Sequence, residues 1–389
     1  MTKSAYIGIN DTARKVKSIY IGVDGIARKV TKGYIGVSGI AQQWHTLESI
    51  KIVMGLSVGR SNLSGASNKN YAFFAGGLSR VNGSAGNTAV VDAFDRNLVR
   101  TVAAPLAAIA QLPLAASTEK FAVFVRSGSL EIEAYDKDLT KVTGGALSIP
   151  RATSASMTGN ENHILVAGGS GNSSTTASDV IDVYTTDLLR NSSATMSVKR
   201  YGMQSESSDK KHIIAGGYAF AGTTATLTAV IDFFDENMIR TSAMLTTPRT
   251  DVTCGKTNDH FLCIGGVMGY SPWYSQTIEC FHKETLVRTI INMPNPIQAI
   301  RATSAGSSCI AMGGINWEMQ SDNYTNIAYG INSDLSLSLI DPAITKRYQH
   351  AATAVNNIAL FGGGMTAGGA DSISSIEGYD SSFNHLFEE

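Results

Sequence analysis

The stretch "KKHIIAGGYAF" at residues 210–220 is an apolar run that ends on two glycines and continues with aromatic residues. The same arrangement recurs as "NYAFFAGG" to Gly77, "HILVAGG" to Gly169, "HFLCIGG" to Gly266, "CIAMGG" to Gly314 and "IALFGG" to Gly363. From Gly168 onward, the first glycines of successive pairs are 48, 49, 48 and 49 residues apart. A period near 50 residues indicates a repeat architecture.

The repeats predict an all-β fold with seven units. Gly76 lies 92 residues before Gly168, and "FAVFVRSGS" at residues 121–129 supplies a degenerate copy between them without the glycine pair. Each unit has four short segments separated by turn residues, as in "PRTDVTCG", "HFLCIGG", "QTIECFH" and "TLVRTIINMP". Four antiparallel strands per repeat are typical of a β-propeller blade. We therefore predict a seven-bladed β-propeller over residues 46–389.

Three local features of this propeller can be predicted. Residues 117–136 should form a complete but shortened second blade. The ring should close where residues 46–56 meet the last blade near "SSFNHLF", because closure removes exposed sheet edges. The glycine pairs should adopt positive φ and let the neighbouring blade's backbone approach closely, since glycine has no Cβ.

The glycine pair followed by a strand such as "VIDVYTTD" or "VIDFFDEN" resembles the kelch family, of the type found in the central domain of galactose oxidase. The resemblance covers residues 46–389 and implies the propeller fold. It does not imply one function, because kelch propellers serve as enzymes, adaptors and adhesins. The chain departs from the family in its fourth strands, where "LVR", "LTK" and "LLR" replace the usual tryptophan.

Residues 1–45 carry a different repeat, with a period of 14 residues and Tyr6, Tyr20 and Tyr34 in register. The dipeptides "ND", "DG" and "SG" suit two-residue hairpin turns, so we predict three β-hairpins joined as a six-stranded meander. The tandem units resemble segments that head phage and prophage structural proteins of Gram-positive bacteria. Their basic residues, which form a solvated strand face or contact an acidic partner, are Arg14, Lys15, Lys17, Arg28, Lys29 and Lys32.

Composition narrows the function classes. The formal net charge is -1 and only 16% of residues are charged, so we expect no nucleic-acid partner. We find no signal peptide and no membrane span, which predicts synthesis in the bacterial cytoplasm and no membrane insertion. The cysteines lie in apolar runs without a metal-binding spacing, so we expect buried free thiols at Cys254, Cys263, Cys280 and Cys309.

Arginines and acids recur once per unit. The arginines that precede the first strands are Arg60, Arg151, Arg200, Arg249 and Arg347, and the acids of the third strands are Asp92, Glu133, Asp182, Asp232, Glu279 and Glu377. The sixth unit has Ile297 and Ala328 instead. We predict structural ion pairs, with the arginines near the channel mouth. The alternative is a catalytic role there, as in the sialate mutarotases that share the fold.

Other catalytic patterns are not supported. His163, His212 and His260 occupy equivalent hairpin turns of successive units, too far apart for one metal ion. Ser57 in "GLSVG" lacks the strand, turn and helix of a nucleophile elbow. The copper site of galactose oxidase cannot be assembled from this sequence. We therefore expect no catalytic residue, no metal and no cofactor.

The loops after the glycine pairs of units four to six differ from the others by their aromatic residues, which are Tyr218, Phe220, Tyr270, Trp273, Tyr274, Trp317 and Tyr324. Exposed aromatics suit stacking on sugars or anchoring a protein, whereas aromatics folded back would only cover the blades.

These observations favour a non-enzymatic adhesion module of a phage or prophage particle that recognises a host surface glycan or protein. Residues 1–45 would attach it to other virion proteins. The alternatives are a carbohydrate-active isomerase or lyase that uses the propeller channel, and a structural decoration protein.

Overall fold

The computed structural model describes the strands between residues 5 and 46, and then residues 54–82, 84–151, 154–170, 177–221, 224–316, 323–366 and 371–386. Contacts divide the chain into two compact units, with the boundary between Val53 and Met54. All regular secondary structure in the described residues is β-strand. No helix capable of spanning a membrane occurs in that part of the chain.

The N-terminal unit contains three antiparallel hairpins. Their strands are β1 (Ala5–Ile9) with β2 (Thr12–Val16), β3 (Tyr20–Val23) with β4 (Ile26–Lys29), and β5 (Lys32–Val37) with β6 (Ile40–Thr46). Two residues separate the last paired positions of each hairpin, as the turn dipeptides predict. The six-stranded meander was wrong for the described strands, because they form three separate two-stranded sheets. Alternation of apolar and polar residues predicts the two strands of each hairpin, but it does not predict whether neighbouring hairpins pair with one another.

Residues 54–386 fold into successive antiparallel sheets, which we call blades one to seven. Blades one to three are β7 (Ser64–Ser67), β8 (Tyr71–Ala75), β11 (Val91–Asp95) and β12 (Arg100–Ala103); β13 (Leu114–Ser117), β14 (Ala122–Val125), β15 (Ile132–Tyr135) and β16 (Lys141–Thr143); and β17 (Ser156–Gly159), β18 (His163–Ala167), β19 (Val180–Thr185) and β20 (Arg190–Thr195). The second blade is thus a complete four-stranded sheet whose fourth strand has three residues.

Blades four to seven continue the series. They are β22 (Gln204–Ser207), β23 (Lys211–Ala215), β26 (Val230–Asp235) and β27 (Arg240–Met244); β28 (Thr253–Lys256), β29 (His260–Ile264), β30 (Thr277–His282) and β31 (Arg288–Asn292); β32 (Arg301–Ala305), β33 (Ser308–Met312), β34 (Ala328–Ile331) and β35 (Leu337–Ile340); and β36 (Ala351–Val355), β37 (Ile358–Gly362) and β38 (Ile376–Tyr379).

Short strands extend the loops after two glycine pairs. In blade one, β9 (Leu78–Val81) pairs with β10 (Ser84–Asn87). In blade four, β24 (Tyr218–Ala221) pairs with β25 (Thr224–Leu227) and with β21 (Arg200–Tyr201). These strands project from the end of the blade at which the glycine pair lies.

The first strands of the blades form a closed ring. Contacts run from β7 through β13, β17, β22, β28 and β32 to β36, and β36 contacts β7 again. Apolar side chains of the second and third strands fill the spaces between neighbouring sheets. The fold of this unit is therefore all-β and propeller-like.

The seventh blade is completed from both ends of the unit. Leu56 donates its N–H to the carbonyl of Ser374, and Ile376 donates to Met54. Leu386 donates to Gly378 on the same edge of β38. The predicted closure is confirmed, although Met54 and Leu56 pair with residues 374–376, while Leu386 of "SSFNHLF" covers the remaining part of that edge.

The glycine pairs join neighbouring blades. Both glycines of each pair have positive φ, from 60° to 69° for the first and from 89° to 108° for the second. The second glycine donates its N–H to the next blade, as Gly217 does to the carbonyl of Arg249 at 3.0 Å. A Cβ on Gly216 would lie 2.6 Å from that same carbonyl oxygen. The expected reason for glycine is thus confirmed.

Two details of the glycine repeat differ from the prediction. In the seventh blade the pair is Gly363 and Gly364, because Gly362 is the last residue of β37. In the second blade Gly128, with a φ of 74°, donates to the carbonyl of Arg151 at 2.6 Å. A single glycine therefore replaces the pair at that junction.

Candidate functional site

The five recurring arginines are buried ion-pair partners. Each guanidinium lies 2.5 to 2.8 Å from the acid of its own blade, in the pairs Arg60–Asp92, Arg151–Asp182, Arg200–Asp232, Arg249–Glu279 and Arg347–Glu377. The predicted pairing is present. The five arginines are at most 1% exposed, so the expected position at a channel mouth was wrong, because the side chains point into the blades.

Four of the five arginines also satisfy backbone groups near the glycines, whereas Arg249 donates instead to the hydroxyls of Ser275 and Thr277. Arg60 donates through Nη1 to the carbonyls of Gly76 and Val90 at 2.9 and 2.7 Å. Arg200 repeats this with Gly216 and Val230. A buried carbonyl without a partner is unfavourable, so these arginines stabilise the junction between the second and third strands.

The carboxylates receive two further sets of donors. The connection from the preceding blade supplies a backbone N–H, as Ser197 does to Asp232 at 3.2 Å. The fourth strand, or in blade seven the C-terminal segment, supplies a second basic group at 2.6 to 3.9 Å, which is Arg100, Lys141, Arg190, Arg240, Arg288 or His385. The basic residues of "LVR", "LTK" and "LLR" therefore bind the acid of the third strand, a role that sequence reasoning missed.

Blades two and six depart from this arrangement. Glu133 of the second blade pairs with Arg126, which follows β14, at 2.6 Å, and with Lys141 of its fourth strand at 2.6 Å. Ile297 and Ala328 of the sixth blade are both fully buried, so apolar packing replaces the ion pair there.

The other candidates from the sequence have structural surroundings. Ser57 donates its Oγ to Asp92 at 3.1 Å and belongs to the first blade's carboxylate network. His212 is buried, and neither ring nitrogen has a partner in the described residues. No group of three metal-binding side chains occurs in that part of the chain. The four cysteines are buried and free.

The loop after the glycine pair of blade five exposes two large aromatic side chains. Trp273 is 57% exposed and Tyr270 is 49% exposed, while Tyr274 is half-buried. The base of this loop is held by backbone pairing, because Val267 pairs with both Thr250 and Tyr274. The expected exposure of Trp273 on the glycine-pair side is confirmed.

The remaining aromatic candidates pack within the protein or lie outside the described residues. Tyr218 and Phe220 stack on Tyr201, with ring centroids 5.3 and 5.5 Å away. Tyr324 stacks on Tyr348 at 4.9 Å. Trp317 is outside the described residues. The six aromatic candidates within the described residues therefore do not form one uniform exposed surface.

The first strands enclose a central cavity of about 620 Å³. Its lining is mostly serine, threonine, alanine and glycine, and its charged members are Glu206, Asp251, Lys256 and Arg301. All four come from blades four to six, the blades with the aromatic loops. Lys256 pairs with Glu206 at 3.3 Å, and Asp251 accepts a hydrogen bond from Gln298 at 3.2 Å.

Comparisons with known proteins agree with the fold. No protein-family model and no curated protein matches the sequence. The chain is similar to the solved structure of YjhT, with a TM-score of 0.53 and 12% sequence identity. The match covers 85% of this chain and 97% of the YjhT chain. At this identity the likeness concerns the fold alone.

Proposed function

We propose that the chain is a non-enzymatic binding module whose contact surface is centred on Tyr270 and Trp273. The observation that carries the proposal is the exposure of both rings on a loop whose base is held by backbone pairing. Large aromatic side chains dominate binding energies when they become buried by a partner. They also stack on the apolar faces of sugars, so the partner class is a cell-surface glycan or a protein.

The paired arginines favour binding over catalysis. Arg200 and Arg249 are saturated by Asp232 and Glu279 and are buried. A catalytic group must reach the substrate, and these two side chains do not reach the cavity. The repeated charged residues therefore serve the scaffold, and the loops that differ between blades serve recognition.

The biological setting of the proposal is a phage or prophage particle. It is supported by the three tandem repeats of residues 1–45, which resemble segments of phage structural proteins. In this setting the hairpins attach the chain to other virion proteins, and the propeller contacts the host surface.

The test is the double substitution Tyr270→Ala with Trp273→Ala. We expect binding to host cells or to a glycan array to fall at least about tenfold, because aromatic anchors are each worth more than about 1 kcal/mol. The melting temperature should not change. The matched control is Leu189→Ala with Ile239→Ala, which removes residues that are 64% and 63% exposed from the opposite ends of the blades. Full binding by the folded aromatic variant would contradict the proposed site.

A carbohydrate-active enzyme is the second candidate, because charged groups line the central cavity in blades four to six. Incubation of the purified protein with a panel of free sugars, followed by NMR, distinguishes the two. Conversion of any sugar by the protein, abolished by a substitution in the cavity, would replace the binding-module proposal with the enzyme.

A further inference from the structure

Arg301 interrupts the symmetry of the cavity lining. It is the first residue of β32 and faces Met312 in the paired strand. The corresponding positions of the other blades, defined by the same pairing, hold Ser64, Leu114, Ser156, Gln204, Thr253 and Ala351. Arg301 is the only charged residue of these seven.

The guanidinium of Arg301, which is partly buried, lacks the partners that the five buried arginines have. Within the described chain, its hydrogen bond is a long one from Nη1 to the carbonyl of Ile300 at 3.4 Å. No ion pair between Arg301 and a carboxylate occurs among the described residues. Arg301 lines the cavity, whereas Arg200 makes an ion pair and hydrogen bonds to three carbonyls within its blade.

The sixth blade does not need this charge for its own structure. It has Ile297 where five other blades have the buried arginine, and Ala328 where six have the acid. An arginine that neither holds its blade nor pairs with an acid leaves donors available to a ligand. The guanidinium keeps its charge at neutral pH.

The surroundings of Arg301 suit a hydroxylated ligand. Ser156, Ser205, Thr253 and Thr303 line the same cavity, and hydroxyl groups both donate and accept hydrogen bonds. The volume of about 620 Å³ lies within the range of small-molecule sites. Among the charged lining residues, Lys256 already pairs with Glu206, which leaves Arg301 as the cationic anchor.

We propose that Arg301 binds the carboxylate of a small hydroxylated ligand inside the central cavity. The planar guanidinium matches a carboxylate with two parallel hydrogen bonds, and the serine and threonine side chains contact the ligand's hydroxyl groups. This site is separate from the exposed rings of Tyr270 and Trp273 and involves no chemical step.

The experiment is calorimetric titration of the full chain with glucuronate, glucose, acetate and inorganic phosphate. Glucuronate should bind at least about tenfold more tightly than the other three, because a hydrogen bond to a charged group is worth more than one to a neutral group. If glucose bound as tightly as glucuronate, the carboxylate would have no role in binding. If acetate bound as tightly, the hydroxyl lining would have no role, and if phosphate bound as tightly, the site would have no preference for a planar anion. Any of these results, or no binding of glucuronate, would overturn the proposal.

Three variants assign the effect to Arg301. Arg301→Ala should abolish the glucuronate preference, whereas Arg96→Ala removes the same charge from an exposed position and should bind as the wild type does. Asp251→Asn should tighten glucuronate binding, because Asp251 interacts electrostatically with Arg301 and would repel the ligand's carboxylate. This variant keeps the test valid if Arg301→Ala does not fold. Unchanged affinity in both cavity variants would refute the assignment, and unchanged binding by the Tyr270 and Trp273 variant would show that the two sites are independent.

Discussion

The acid in the third strand accepts hydrogen bonds from several parts of its blade. Asp232 accepts Nη2 of Arg200, the N–H of Ser197 and the hydroxyl of Ser242, and it lies 3.9 Å from Nε of Arg240. A buried carboxylate is tolerated when its charge and its acceptor positions are satisfied. This residue therefore connects the first, third and fourth strands of its own blade with the connection from the preceding blade.

His212 presents the opposite case of a buried polar side chain without partners. Its pKa is lowered to about 3, mainly by burial and to a smaller extent by the charges of His163 and Lys256. The unfolded chain takes up this proton near pH 6.5, whereas the folded chain does not. The folded state is therefore fully stable with respect to this group above pH 6.5 and loses stability as the pH falls from there towards 3.

We expect His212→Leu to reduce the acid sensitivity of the fold. Relative to this variant, the free energy of unfolding of the wild type should fall by about 1.4 kcal/mol per pH unit below pH 6. Urea unfolding at pH 7, 6, 5 and 4 measures this difference. Parallel pH curves for the two proteins would show that His212 does not contribute to acid denaturation.

The sequence predicts those residues that repeat, and it does not mark those that occur once. The ion pairs of Arg60 and Arg200 were predictable because arginine and acid recur at fixed distances from the glycines. Arg301 occurs once, so no repeat distinguishes it from a surface arginine. The exposure of Trp273, as opposed to the packing of Tyr218, depends on whether a neighbour such as Tyr201 lies within stacking distance, which only the folded chain decides.

Besides the ion pair, which the sixth blade lacks, each blade is stabilised by the turn that follows its third strand. This turn places an apolar residue at positive φ in every blade, namely Leu98, Leu139, Leu188, Met238, Leu286, Leu335 and Phe383. Such a conformation is unfavourable for a side chain with a Cβ. In four of these turns the aspartate that starts the turn offsets this by accepting two backbone N–H groups, as Asp235 does from Asn237 and Ile239.

The two arginines that contact one acid should differ in their effect on blade stability. Arg200→Ala removes a buried partner and leaves Asp232 with an uncompensated charge, so we expect a loss of about 3–5 kcal/mol. Arg240→Ala removes a side chain that is 38% exposed, so the loss should be no more than about 1 kcal/mol. Equal losses in denaturant titrations of the two variants would contradict the structural role of the buried pair.

At the level of strands and turns, the sequence predicted the position of each blade along the chain through its period of about 49 residues. It located the second blade without its glycine pair, because the apolar run of residues 121–125 remained. It placed the seventh glycine pair one residue early, because three consecutive glycines do not show which two leave the strand. It joined the N-terminal hairpins into one sheet, since period-two alternation does not specify pairing between hairpins.

The ring depends on the seventh blade, in which two distant segments cover one strand edge. His385 contacts Glu377 at 2.7 Å, and Phe383 packs against the core between blades six and seven. These contacts support the same acid that Arg347 pairs with. The C-terminal segment therefore stabilises the last blade and its junction with blade six.

Deletion of residues 381–389 should destabilise the whole propeller in a single transition. The loss exposes the edge of β38 and removes a partner of the buried Glu377, and a closed ring transmits the loss to every junction. Tryptophan fluorescence and near-ultraviolet circular dichroism should show one coincident transition at a lower temperature. An unchanged melting temperature, or separate transitions for the two signals, would disprove the cooperative role of this segment.

The junction between blades seven and one is the place where the ring has no covalent connection, and this has a consequence for the order of the blades along the chain. Arg60 accepts from Gly364 the same hydrogen bond that Arg249 accepts from Gly217, so the junction without a covalent connection uses the same contacts as the junctions with one. The ends of the propeller, Met54 and Leu386, both pair with β38. A short linker between them and a new opening between two other blades would produce a circular permutant with the same fold. The contacts between blades therefore do not depend on which blade comes first in the sequence, and the same ring can form from a chain that begins at another blade.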